Sequence, residues 1–190
     1  AFGAIHFYLI WYGDILFSYA LTGMVAYLFR NLAVRSLLVW GALLILLQTL
    51  FMAASAQHAY SHAEAVSGPN PTAEDLKQWR EFAAEFEPLS TGKLAEIAAL
   101  HLGPWTGLVR EQVTENLSDP LFFALLFGPE TLAYMLFGMA GLRAGYLTGD
   151  WPDASYRKIA LTCLAIGIPV YAVIGWMLFS HGFTVPGIFT

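Results

Sequence analysis

His6, Asp14 and Glu130 are the ionisable residues that fall within or beside long apolar runs of this chain and could do chemistry there. An ionisable group at the centre of a membrane-crossing helix costs roughly 2.5 to 3.5 kcal/mol on insertion scales, so a retained one is a functional candidate by default. His6 precedes Asp14 by eight residues, and a chain reversal after Tyr12 brings both toward one cavity. A histidine beside a carboxylate is the pair that acts as a general base, taking a proton from a hydroxyl that then attacks a carbonyl or thioester. A buried, satisfied histidine has the same surroundings. Asp14 also has a structural role open to it, since a carboxylate after a glycine caps the next helix and meets the positive end of its dipole. Glu130 follows Pro129, and proline in a first turn with an acid after it equally marks a helix start.

The remaining histidines say less. His58 and His62, at i and i+4, present both imidazoles on one helical face. Such a pair holds a metal only with further ligands, and spacing assigns no third or fourth, so no metal site is expected and no cofactor is assigned. His101 and His181 have no interpretable partners. Cys163 is the only cysteine, which excludes an internal disulfide and a thiolate cluster. No Walker loop, nucleophile elbow, dinucleotide fingerprint or zincin motif occurs.

The elements that must position these residues are membrane helices. The chain has 190 residues, 57% hydrophobic and only 12% charged, where a soluble domain carries about 25% charged residues. Its mean hydropathy of +0.58 excludes a disordered chain, and a pI near 5.4 argues against a nucleic-acid partner. The hydrocarbon core requires about 20 apolar helical residues. Residues 37–56 and 159–179 meet that, as do 121–142 despite Pro129 and Glu130. In the first apolar region, Gly13 and Asp14 read as a stop and a restart, giving a truncated helix over 1–12 and a further transmembrane helix over 15–29. The apolar start of the chain, without a basic leader, predicts a C-terminal portion of a longer protein. The fold class is therefore all-α: one polytopic helical membrane domain with a helical insertion on the outer side.

Orientation comes from the basic residues. Arg30 and Arg35 bracket one turn, and Arg143, Arg157 and Lys158 flank another, so both turns are expected in the cytoplasm. That leaves the 13–14 turn, the 57–119 stretch and the tail after His181 outside. The outer stretch holds ten acidic residues against four basic, net −6, and the inner turns five basic against two acidic, net +3. This asymmetry is that of a multi-pass bacterial inner-membrane protein.

The outer stretch is predicted to be structured. After the turn cluster of 67–71, Thr72 and Asp75 have capping-box spacing, and Leu76, Trp79, Phe82, Ala83 and Phe86 share one face up to Pro88. A second run, 94–102, stops at Gly103 and Pro104, and a third covers 105–117. Trp11, Tyr12, Trp40, Trp105 and Trp151 suit aromatic belts at span ends. The lipid bilayer is one expected partner, and the acidic outer helices offer a face to a protein partner.

From His6 to Leu21 (His-Phe-Tyr-Leu-Ile-Trp-Tyr-Gly-Asp-Ile-Leu-Phe-Ser-Tyr-Ala-Leu) the chain resembles the YeiB-like family of bacterial inner-membrane proteins, a family of unknown function. The likeness extends to 134–146, where Leu136, Phe137, Gly138, Met139, Ala140, Gly141 and Gly145 resemble that family's penultimate helix. The resemblance implies further N-terminal helices with an Asp and an Arg-Gly motif, which this chain lacks. The family is distantly similar to the transmembrane acyltransferase superfamily, in which a membrane-embedded histidine helps to move an acyl group from a cytoplasmic thioester to an acceptor. By that similarity His6 is the candidate base and Asp14 part of its surroundings. The leading expectation is group transfer at an outer-side pocket gathering His6, Asp14 and Glu130. Its rivals are a proton- or cation-coupled solute transporter using the same carboxylates, and a non-catalytic subunit of a membrane complex.

Overall fold

The structure, a computed structural model, describes residues 2–11, 13–84, 89–180 and 182. The fold is all-helical, with no strand among the described residues: α1 (Phe2–Leu9), α2 (Leu16–Tyr27), α3 (Val34–Ser67), α4 (Ala73–Ala84), α5 (Thr91–Leu102), α6 (Trp105–Thr114), α7 (Asp119–Arg143) and α8 (Asp153–Ser180). Among these, α3, α7 and α8 are long and apolar enough to cross a membrane. The chain forms two compact units, Ala1–Gln48 with Leu89–Gly149, and Thr49–Pro88 with Asp150–Thr190.

In the first unit α2 runs beside α7 in the same direction. Thr22 lies opposite Gly128, and Ala26 joins Leu132, Leu136 and Ala140 in a buried cluster that Leu37 of α3 completes. At the end of this ladder the Arg143 guanidinium donates to the carbonyls of Arg30 and Leu32, which tethers the α2–α3 turn to the C-terminus of α7. Arg30 in turn lies 3.9 Å above the Tyr27 ring. The stretch 15–29, expected as a transmembrane helix, forms the shorter apolar helix α2. α2 has 12 residues, which at a rise of 1.5 Å each is about 18 Å, short of a hydrocarbon core of about 30 Å. It ends in a turn from Leu28 because Arg30 and Asn31 begin a polar connection.

Pro129 is not a helix start. α7 begins with Asp119 in its first turn and Pro120 at the tolerated N-terminal position, and continues through Pro129. A proline inside a helix supplies no N–H to the carbonyl four residues back. Here that carbonyl is Leu125's; the next one, of Leu126, accepts from Gln48 Nε2 at 3.1 Å. Gln48, 8% exposed and the strongly polar side chain of the 37–56 run, is thus satisfied against the α7 backbone. α5 and α6 match the expected runs: the Ser90 hydroxyl caps α5 by accepting from the Lys93 amide, and α5 ends at Gly103.

In the second unit α3 continues as helix to Ser67, well past residue 56, since no breaker occurs before Gly68 and Pro69. Its last turns are polar and emerge from any bilayer that the apolar part crosses. α4 opens with the expected capping box: the Thr72 hydroxyl accepts from the Asp75 amide at 3.1 Å and Asp75 Oδ2 accepts from the Thr72 amide at 3.0 Å. The hydrogen bonds from the Thr72 side chain and then its backbone amide hold the Asp75 carboxyl below its ordinary pKa. α8 contains Pro169 and is apolar over a length that can cross a membrane. Phe86, Pro88 and His181 lie outside the described residues, as does the tail beyond Gly182.

Candidate functional site

α1 and α2 form a tight hairpin because Gly3 has no side chain. A Cβ there would sit 2.6 Å from the Phe17 amide nitrogen and 2.8 Å from the Leu16 carbonyl carbon. α1 closes when the amides of Ile10 and Trp11 both donate to the His6 carbonyl, and the chain turns at Gly13, against which the Trp11 ring packs. Two bonds from distant segments anchor the end of α1: Tyr8 Oη donates to the Leu117 carbonyl and Trp105 Nε1 to the Leu9 carbonyl, each at 2.7 Å. The sequence reading had Trp105 in an interfacial belt and did not single out Tyr8. A belt position and a tether require the same amphipathic residue type, so no sequence signal separates them.

The reversal brings His6 and Asp14 together. His6 Nδ1 lies 3.3 Å from Asp14 Oδ1, with the two side chains 27% and 3% exposed. Asp14 Oδ1 also accepts from the Leu16 amide at 3.0 Å. That bond reaches the first residue of α2, as expected of a capping carboxylate, while Ile15, immediately before the helix, makes no side-chain bond. The approach of Nδ1 to Oδ1 is within ion-pair range but not aligned as a hydrogen bond. His6 Nδ1 and Asp14 Oδ2 are both buried and without a hydrogen-bond partner among the described residues. Buried polar atoms nearly always have a partner, so these two atoms set the region apart.

Asp14 also lines a cavity of about 430 Å³ at the start of α2, with Ser18 and Tyr19 beside it and Phe123, Phe127 and Thr131 of α7 opposite. His6 is not in the cavity wall, and Asp14 is the residue common to both. Phe123, Phe127 and Thr131 recur every four residues and so share one stripe of α7. Glu130 falls on the next face, about 100° round the helix. Its carboxylate accepts from the Tyr134 hydroxyl one turn on at 2.8 Å. Among the described residues no ion pair or hydrogen bond joins Glu130 to His6 or Asp14. Two of the three expected site residues are therefore adjacent and the third stands apart. Thr131 takes the wall position expected of Glu130.

The arrangement has a definite chemical capacity. With Nδ1 turned toward a carboxylate, the other ring nitrogen, Nε2, is the one left to take or give a proton, and the carboxylate stabilises the imidazolium that results. The cavity beyond Asp14 is walled mainly by aromatic and aliphatic groups, which suits an apolar chain more than a polar solute.

No family model matches this chain, and no solved structure matches it. Over 46 residues it is 54% identical to the uncharacterized protein YxaH of Bacillus subtilis (strain 168), a stretch covering 24% of this chain and 11% of that protein's length.

Proposed function

We propose that this chain is part of a YeiB-like bacterial inner-membrane protein that transfers an acyl group, with His6 as general base and Asp14 as the carboxylate that orients it. The supporting observation is the 3.3 Å approach of His6 Nδ1 to a carboxylate only 3% exposed at the edge of an apolar cavity. In this reading the acyl chain lies in the cavity with its thioester carbonyl near Asp14. His6 Nε2 takes the proton of an acceptor hydroxyl as that oxygen bonds to the carbonyl carbon. The carbon–sulfur bond then breaks, and the proton passes from the imidazolium to the departing thiolate. Glu130 has only a helix-surface role in this scheme.

The test is thiol release from an acyl thioester, dependent on a hydroxyl acceptor, by the protein from its complete reading frame in proteoliposomes. His6→Ala should lower the rate by about 10² to 10⁴, the usual worth of a general base. Glu130→Gln should leave it within a factor of about three, below the cost of one lost hydrogen bond at the reacting centre. An acceptor-dependent rate unchanged in His6→Ala contradicts the proposal. The transport reading draws on the unpartnered Asp14 Oδ2, a suitable place for a bound proton or cation. It is favoured instead if the liposomes show proton-coupled uptake that Asp14→Asn abolishes and His6→Ala does not.

A further inference from the structure

We infer that His58 and His62 form a binding site for one divalent transition-metal ion, of the copper or zinc type, on the part of α3 that extends past its membrane-length segment. His58 Nε2 and His62 Nε2 stand 3.2 Å apart, with the two rings edge to face at 85°. Two imidazole nitrogens bound to one metal at about 2.1 Å and separated by 3.2 Å subtend about 100° at the ion, between the square and tetrahedral angles. The helix sets this spacing without strain, because i and i+4 side chains lie one above the other on the same face. A metal-free pair has one N–H pointing at one lone pair, an exposed neutral hydrogen bond of little worth. At the same nitrogen separation, small rotations of the rings let both lone pairs meet one cation.

The surroundings fit an ion with open coordination positions. Both imidazoles border a cavity of about 400 Å³ that Gln78, Glu81 and Phe82 of α4 also line, all within one compact unit of the chain. Glu81 places a negative charge in that wall. Among the described residues no third His, Cys, Asp or Glu is in coordinating position, so the first sphere is two imidazoles completed by water. Such a set selects borderline metals with a preference for nitrogen, copper above zinc, and disfavours the oxygen-seeking calcium and magnesium. The i, i+4 spacing is visible in the sequence. What spacing does not reveal is that both ring nitrogens converge and that α4 folds back to form the cavity.

The experiment uses the full chain, purified without a histidine tag, in lipid nanodiscs. Titration with Cu²⁺ followed by electron paramagnetic resonance should show one saturable site per chain with coupling to two nitrogens. Zn²⁺ should compete for it, and a large excess of Ca²⁺ or Mg²⁺ should not. His58→Ala and His62→Ala should each weaken binding at least tenfold and reduce the coupling to one nitrogen, whereas His101→Ala should change neither. Alanine is the best helix former and both positions are on a polar helical surface, so far-UV circular dichroism of the variants should match the parent. The inference is overturned if no saturable Cu²⁺ site appears, if both single variants bind as the parent does, or if Ca²⁺ displaces the metal.

Discussion

At the scale of single residues, the pairings that the sequence announces are those carried by short chain separations. Thr72 and Asp75 are three residues apart, and their mutual bonds follow from helix geometry alone. His6 and Asp14 are eight apart across a Gly-Asp turn, close enough for a reversal to bring them together. Glu130 is different. Whether it faces Asp14 depends on the rotation of α7 about its axis, and the apolar residues all round that helix give no preferred face to read. Asp75 carries the pH prediction. Its carboxyl is held below its ordinary pKa by Thr72, so the capping contribution is present above the unfolded pKa and is lost only as the pH falls through the lower folded value. Carboxyl-carbon NMR of the chain in nanodiscs should place the Asp75 midpoint below the ordinary aspartate range. Thr72→Ala should move that midpoint upward; a midpoint unaltered by the substitution contradicts the assignment.

At the scale of elements, helix starts and stops marked by turn chemistry are readable, as at Ser67 to Pro71 and Gly103, whereas the Ser90 cap, three residues ahead of Lys93, lies before the run expected from 94. The extension of α3 to Ser67 was not, because an apolar-span criterion ends where the residues turn polar while the helix does not. Gln48 shows why an intramembrane polar residue need not be catalytic: its partner, the Leu126 carbonyl, is 78 positions along the chain and is met only in the packed fold. Gln48→Leu is expected to destabilise the protein by about 1 to 3 kcal/mol, the cost of leaving a buried polar group without its partner. Thermal unfolding in detergent measures the loss, and a Gln48→Leu protein as stable as the parent contradicts the role given to this bond.

At the scale of the whole molecule, three helices long and apolar enough to cross a membrane agree with the sequence composition, and α2 does not reach that length. The orientation rests on the basic turns. With Cys163→Ser as background, a membrane-impermeant thiol reagent should label cysteines placed at Glu81 and Glu115 in intact cells, and should reach those at Arg35 and Asp150 only after lysis. The opposite pattern reverses the expected orientation and contradicts the proposed outer-side placement of the site. Residues that act as one unit are strongly non-additive, as proposed for His6 and Asp14 in group transfer. A double-mutant cycle on the acceptor-dependent thiol-release rate, with His6→Ala, Asp14→Asn and the two combined, tests this. Each single variant should lose most of the rate and the double variant should be no slower than His6→Ala alone; losses that multiply, or an Asp14→Asn protein as fast as the parent, would show that the pair does not act together.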